Sequence, residues 1–376
     1  MKSIITQERF TALDIFRGMT VCFMIIVNTS GNSATTFWPL LHADWHGFTP
    51  TDLVFPSFLF AVGNALSFVS KKWETMRKQD VLWKITKRTL LIFLIGYLMY
   101  WFPFFRLDND LQFIIAPISH TRIMGVLQRI ALCYGIVALM VYFLGNKKTI
   151  TLGIIALFLY WALLLLFGEQ GAEFTKTGNA VLRLDTWLFG VNHLYRGEGF
   201  PFDPEGVLST IPALFNVIGG YAVGNYLQKK GKSYEALTKI LLVGALMLFS
   251  AYCWNDFFPI NKKLWTSSYS LLTVGLDCVL LSAIIYLTDF VGVKKGTNFF
   301  IITGKNPLFI YLMSELGVTI MFLIHIGKIS LFKWLYLNIF SHVGDYSGAL
   351  LFAIWWMLTC WFVGFMLDRK KIYIRI

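Results

Sequence analysis

The chain has 376 residues, 56% of them hydrophobic and 14% charged, with 33 Lys and Arg against 21 Asp and Glu for a formal net charge of +12. A soluble domain carries about a quarter charged residues, so the composition excludes a water-soluble globular domain. It also speaks against reading the basic excess as a nucleic-acid surface, because the bases cluster in short loops between apolar runs.

Apolar runs recur from one end to the other, each long enough to cross a hydrocarbon core of roughly 30 Å as a helix. The alternating pattern of a membrane barrel is absent. The expected fold is therefore an all-α, polytopic membrane protein with about ten spans, over 10–28, 51–70, 89–105, 123–144, 149–167, 207–227, 234–254, 266–287, 306–326 and 348–367. It reads as one domain over 1–376, without a low-complexity linker.

The first span contains Asp14 and Arg17 and no small-residue cleavage pattern, so it reads as mature sequence rather than a signal peptide. Three residues apart, the two charges share a helix face and can pair. Charges at that depth mark either a functional interior, with Arg17 opposing an anionic ligand, or a structural pair with a snorkelling arginine. The span ends at Asn28, whose amide can cap the chain or donate to a developing oxyanion.

HADWHGFTPTDLVF follows at 42–55. His42 has the chemistry of a general base, and Asp52 that of the carboxylate that orients an imidazole. The plain alternative makes Asp52 a helix cap and His42 an interfacial residue. His42 and His46 have the spacing of a helical metal pair, but the glutamate of HExxH and a third ligand are missing, so no metal is expected.

Alternate loops hold Lys71, Lys72 and Arg77, then Lys147 and Lys148, then Lys229, Lys230 and Lys232, then Lys294 and Lys295, then Arg369 to Lys371. This set is expected in the cytoplasm, with both termini. All six histidines, His42, His46, His120, His193, His325 and His342, then fall outside. The long external loop 168–209 carries Asp185, His193, Arg196, Asp203 and Glu205 and is a candidate cover for a polar ligand. No second copy of the first two spans is visible, which weakens an inverted-repeat transporter reading.

Further along, GVLQRIAL at 125–132 buries Arg129, which we group with the cofactor-binding cations. Asp203 and Glu205 open the next span, favoured there by the helix dipole or placed to bind a sugar's hydroxyls or amine. PINKKLW at 259–265 puts Asn261, Lys262, Lys263 and Trp265 on the same side, where an aromatic plane among polar groups would suit a carbohydrate, unless Trp265 is only an interfacial anchor. TGKNP at 303–307 offers Asn306 as a cap, Pro307 at the first helical position, Gly304 for close approach of an anion and Lys305 for charge. With Lys294 and Lys295 nearby, a phosphate-bearing ligand from the cytosol fits, as does an ordinary helix start. The glycine spacing of a P-loop is absent. The five cysteines, Cys22, Cys133, Cys253, Cys278 and Cys360, fall inside spans without a disulfide or CxxC pattern and are expected to be packing residues.

Taken together, LDIFRG, the VN pair, HADWHGFTPTDLVFPSFLFAVG, GVLQRIAL, DPEGVLSTIPA, PINKKLWTSSY and GKNPLFIYLMSE resemble the heparan-α-glucosaminide N-acetyltransferase family over nearly the whole chain. The resemblance implies acetyl transfer across the membrane, from cytosolic acetyl-CoA to a glucosamine amine on the other side. It implies His42 as the catalytic histidine, with Asn28 and Asp52 as its polar partners. The acceptor expected is a free amino sugar or an envelope fragment, in a bacterial inner membrane, with membrane lipid around the chain, no nucleic acid, and a homodimer among the assemblies allowed. In the mechanism expected, Arg17, Arg129, Lys294, Lys295, Lys305 and Asn306 hold the cofactor, while Asp203, Glu205, Asn261, Lys262 and Trp265 hold the sugar. Direct transfer and an acetyl-histidine both remain open. So do an amino-sugar transporter and an O-acetyltransferase, since Arg9, Asp14, Arg17 and Gly18 also resemble the opening of the acyltransferase-3 family, which does not account for DPEG and PINKKLW.

Overall fold

The computed structural model describes residues 10–107 and 112–374; Arg9 lies outside the described residues. The apolar runs form helices α1 (Thr11–Asn28), α2 (Val54–Ser70), α3 (Lys78–Trp101), α4 (Val126–Phe167), α6 (Thr210–Lys230), α7 (Tyr234–Asn255), α8 (Ser267–Ile285), the pair α9 (Thr297–Lys305) and α10 (Pro307–Leu323), and α12 (Asp345–Arg369). Short helices α5 (Ala180–Phe189) and α11 (Leu331–Leu335) lie in loops, with two antiparallel hairpins, β1 (Phe105–Leu107) with β2 (Phe113–Ile115) and β3 (His325–Ile326) with β4 (Ile329–Ser330).

Among the described residues, six helices are long and apolar enough to cross a membrane, or seven if α9 and α10, bent by 83°, form one broken span. The protein is thus an integral membrane protein, with six or seven such helices where ten spans were expected. The difference has local causes. The two expected spans flanking 145 are present as two helices that meet at Gly145, whose φ of 72° lies in the left-handed region, so the single run Val126–Phe167 holds both. Helix α3 begins with the charged stretch KQDVLWKITKR, and α6 carries Asn216, Asn225 and a Gly pair inside a sheath of other helices. A helix covered by protein needs less hydrophobicity than one facing lipid.

Glycines set the closest approaches. A Cβ on Gly63 of α2 would lie 1.9 Å from the Val217 carbonyl oxygen of α6, and one on Gly220 would lie 1.9 Å from that of Phe60. Only hydrogen fits at these points, the small-residue packing typical of membrane helices. Gly304 has the same role. A Cβ there would meet the Asp14 carbonyl oxygen at 2.1 Å, so this glycine seats α9 on α1, and it also lines a cavity beside Arg17 and Lys305. Four of the cysteines are buried, Cys253 is exposed, and all are free thiols.

The loops segregate to two ends of the bundle. At one end, Gly31 N donates to Ala349 O (3.3 Å), Gly47 N to Ile260 O (2.8 Å) and Ile123 N to His193 O (3.3 Å), which joins the segments holding His42, His46, His120, His193 and His342. At the other end, Lys232 pairs with Asp289 at 2.5 Å and Lys305 with Asp368 at 2.6 Å. Ser70, Lys71, Gly145, Asn146 and Lys229 meet around one cavity there. Helix α10 starts at this basic end, where Asn306 binds residues 372 and 374, and so delivers His325 to the histidine end.

Candidate functional site

Pro50 opens a tight turn over Pro50–Leu53 that leads into α2 and places Asp52, which is 0% exposed, below the loop from α1. Its two carboxylate oxygens have separate tasks. Oδ2 accepts from Thr49 N (2.9 Å), Thr49 Oγ1 (3.1 Å) and Ala43 N (3.2 Å), which ties the loop down. Oδ1 lies 2.7 Å from Nδ1 of His42. Both roles expected of Asp52, cap and orienting partner, therefore coexist. The Asp52 carbonyl also accepts from Tyr269 Oη of α8 at 2.6 Å.

Lys262 reaches the same ring from the loop between α7 and α8. Its Nζ lies 2.9 Å from Nδ1 and 3.1 Å from Nε2 of His42, and 3.7 Å from Asp52 Oδ1. The imidazole is 44% exposed, yet burial is the largest influence on its basicity, which is what a concave recess produces. Burial disfavours the imidazolium, Lys262 adds to that, and Asp52 opposes it, leaving His42 below the ordinary histidine pKa. For Lys262 itself burial lowers the pKa, partly offset by Asp52 and Glu205.

PINKKLW builds this arrangement through a strained turn. Trp265 has φ of 52°, the Asn261 carbonyl accepts from Thr266 N at 3.0 Å, and Asn261 Oδ1 accepts from Leu264 N at 2.8 Å. The turn aims Lys262 at His42 and Lys263 at Glu198 and the Asp44 carbonyl. Trp265 is 0% exposed, donates to Asn216 Oδ1 at 3.1 Å and lies under the Arg129 guanidinium. The sugar platform expected of Trp265 is thereby corrected: the ring is core beneath the site. Asn261 Nδ2 lies 3.4 Å from Nδ1 of His46, so His46 faces an amide while His42 faces a carboxylate.

The acidic pair lies on the far wall. Arg122 donates Nε to Asp203 Oδ2 (2.9 Å) and Nη2 to Asp203 Oδ1 (2.6 Å) and Glu205 Oε2 (2.5 Å), with its guanidinium between the rings of Tyr100 and Tyr195. Asp203 is committed to Arg122, so Glu205 is the carboxylate with an oxygen to spare. Burial pushes Glu205 up, but Arg122, Arg129 and Lys262 overcome it and hold it below the ordinary range. Arg129 is 0% exposed at the histidine end and donates to Gly206 O at 3.0 Å and to Ser209 Oγ. It braces the segment carrying the acidic pair, apart from the basic-end cavity lined by Arg17 and Lys305, with which it was grouped as cofactor-binding. Asn28, at the end of α1, donates to Glu315 Oε1 of α10 at 3.2 Å.

At the basic end, Asp14, Arg17, Arg88, Lys305, Tyr373 and Pro307 bound a cavity of about 480 Å³. A narrower space of about 90 Å³ shares Arg17, Arg88, Ile92, Pro307 and Leu308 with it and continues inward to Phe58, Val62, Ile130 and Tyr134. Phe58 stands six residues, about 9 Å of helix rise, from Asp52. Arg17 pairs with Asp14 at 2.9 Å, and Arg88 lies over the Tyr134 ring with its buried Nε lacking a hydrogen-bond partner. Lys305 lines the cavity while paired with Asp368. Asn306 does not cap α10; its amide binds Ile372 O (3.0 Å) and Ile374 N (2.9 Å), so the cofactor contact expected of it is replaced by docking of the C-terminal segment. Lys294 and Lys295 are exposed between α8 and α9 and do not line this cavity. Sequence reasoning missed Arg88 and Glu315. Glu315 is a lone charge on an otherwise apolar helix, the signal that could have found it, whereas Arg88 stands in the charged opening of α3 with Lys84 and Lys87 and carries no such signal.

The family model described as "Heparan-alpha-glucosaminide N-acetyltransferase, catalytic" matches residues 9–251. The heparan-alpha-glucosaminide N-acetyltransferase of Mus musculus is 27% identical over 427 aligned residues, covering 99% of this chain and 61% of that protein. That of Homo sapiens is 26% identical, covering 98% of this chain and 60% of the relative. The chain thus spans about 60% of the length of these curated relatives. The match to the family model extends over more than half of the chain, and with the relatives it establishes that the chain belongs to the heparan-alpha-glucosaminide N-acetyltransferase family.

Proposed function

We propose that the chain passes an acetyl group from acetyl-CoA, entering at the basic end, to the amine of a glucosamine-type sugar bound at the histidine end. In this reading the basic end and both termini face the cytoplasm of a bacterial inner membrane. The observation that carries the proposal is the 2.7 Å contact between His42 Nδ1 and Asp52 Oδ1, in a ring whose basicity is held below the ordinary histidine range.

Asp52 fixes the proton on Nδ1, so Nε2 keeps a lone pair at neutral pH. Nε2 accepts the proton that the sugar's ammonium or amine must lose, a contribution of about 10²–10⁴-fold for a positioned base. Asn28, with one amide hydrogen on Glu315, has a second hydrogen for a developing oxyanion and a carbonyl for a sugar donor. Glu205 and Lys262 frame the acceptor's polar edge, and Asn261 keeps the turn that presents Lys262. Acetyl-CoA supplies an activated thioester carbonyl.

Residues at the basic end fit that donor. Arg17, Arg88 and Lys305 surround one cavity, and the orphaned Arg88 Nε is the kind of buried donor that an anion satisfies. Exposed Lys294 and Lys295 would act only as a long-range field that favours anions. From Arg17 to Asn28 the first helix rises about 16 Å, which sets the depth that the apolar arm of the donor crosses.

The test is purified protein with acetyl-CoA and glucosamine. N-acetylglucosamine forms with the wild-type chain and is lost in His42→Ala while acetyl-CoA binding persists. Normal turnover in His42→Ala would overturn the assignment, and uptake of glucosamine into vesicles without need of acetyl-CoA would favour a transporter.

A further inference from the structure

Between the end of α2, the break in α4 and the end of α6, the basic end holds a second cavity, of about 370 Å³, that acetyl transfer leaves unused. Several of its polar groups lack partners. Lys232 and Lys305 at this end are paired with Asp289 and Asp368, whereas Lys71 and Lys229, which line the cavity, have no ion-pair partner among the described residues. Asn225 of α6, also in the lining, is 8% exposed, yet its side chain makes no hydrogen bond among those residues. Oδ1 of Asn146, next to the left-handed Gly145, is a buried acceptor without a donor. Trp73 and Tyr142, packed edge to face at 6.1 Å, supply an aromatic wall.

These groups specify a ligand. Two amines share the lining with one carboxylate, the exposed Glu74, so the balance suits a single negative charge. A phosphodiester carries one charge at neutral pH, and a phosphomonoester carries nearly two. The oxygens of a phosphodiester accept from the lysines and from the Asn225 amide but cannot donate, so the hydrogen that Asn146 Oδ1 lacks must come from a hydroxyl on the substituent. Aromatic rings beside lysines at the end of a membrane bundle are the setting in which headgroups bind. We propose that this cavity binds a hydroxyl-bearing phosphodiester, the chemistry of a phosphatidylglycerol-type headgroup or of a soluble glycerophosphodiester. It is a different cavity from the one lined by Arg17, Arg88 and Lys305, so the inference stands apart from acetyl transfer.

The experiment titrates the purified full chain in detergent with dioleoylphosphatidylglycerol, dioleoylphosphatidylcholine or soluble glycerophosphoglycerol and reads the bound molecules by native mass spectrometry. A single phosphatidylglycerol is expected to bind more tightly than phosphatidylcholine, whose phosphodiester has neither net charge nor hydroxyl. Lys71→Gln and Lys229→Gln each weaken it about fivefold, the factor for one lysine beside an anionic headgroup. Lys294→Gln with Lys295→Gln, exposed at the same end but outside the cavity, leaves it unchanged, and Asn146→Ala narrows the preference between the two lipids. Displacement of the lipid by an equal concentration of glycerophosphoglycerol identifies a soluble ligand, and failure to displace it identifies the lipid. Because a variant can fail to fold, amine-reactive labelling of the wild type gives a second reading, in which phosphatidylglycerol shields Lys71 and Lys229 and leaves Lys294 and Lys295 labelled. Equal affinity for the two lipids, or labelling of Lys71 and Lys229 that phosphatidylglycerol does not reduce, would overturn the proposal.

Discussion

Asp52→Asn separates chemistry from scaffolding at a single atom. In the wild type, Oδ2 accepts three hydrogen bonds from Thr49 and Ala43 while Oδ1 holds His42. An asparagine can keep its carbonyl toward Thr49 and Ala43, but then its –NH₂ faces His42 and donates to Nδ1. The ring proton must move to Nε2, the nitrogen that has to accept the amine's proton. The loss expected in kcat is about 10²–10⁴-fold, the range for removing a positioned base and reversing a histidine tautomer, or roughly 3–5 kcal/mol in the barrier. Replacing an ionised acceptor by a neutral one should cost only about 1–2 kcal/mol of stability. Initial rates at saturating acetyl-CoA and glucosamine, with thermal unfolding in the same detergent, measure both quantities. A kcat within about tenfold of wild type at unchanged stability would refute the assigned role, since it lies below the least a positioned base contributes.

Three further outcomes follow from other parts of the molecule. Burial and Lys262 hold His42 below its ordinary pKa and Asp52 opposes them, so Lys262→Met should move the acid limb of the pH–rate profile upward; an unmoved or lowered limb would contradict the electrostatic assignment. Arg88→Ala should raise KM for acetyl-CoA about tenfold, the loss of ~1.4 kcal/mol expected for a charge-assisted contact, with kcat little changed; an unaltered KM would remove Arg88 from the donor site. Asp185, 1% exposed, has its carboxyl pushed by burial from 3.8 up to about 7, with Val207 N and Arg129 working against that rise. The folded state therefore keeps a proton that the unfolded chain loses, so this group's contribution to stability is full below pH 4 and declines as pH rises toward 7, by ~4 kcal/mol at most. Asp185→Asn should flatten that decline in pH-dependent unfolding, and an unchanged slope between pH 4 and 7 would show that Asp185 is not the group responsible.

What could be read in the sequence was what depends on local pattern. Apolar length gave the helices, and positive charge in alternate loops gave the two ends, because both follow from what each residue does in lipid or at its border. His42 and Asp52 were legible together because ten residues and one tight turn separate them. The count of spans was less legible, since hydropathy does not reveal that α6 is wrapped by neighbours or that α9 and α10 meet at 83°. Contacts across more than two hundred residues were not legible at all. The contact of Lys262 with His42 was not read, Trp265 was expected at a surface and lies in the core, and Asn306 was expected to meet a cofactor and holds residues 372 and 374. In each case the side chain's chemistry was read correctly, but its partner is chosen by the packing of distant helices.

In the proposed function, donor and acceptor meet from opposite ends of one helix bundle. This is tested most directly in sealed vesicles of known orientation, with acetyl-CoA only on the side of the basic loops and glucosamine only on the side of the histidines. N-acetylglucosamine is expected on the histidine side and free coenzyme A on the basic side, with neither formed in His42→Ala. Product that forms only when both substrates share a compartment would contradict it.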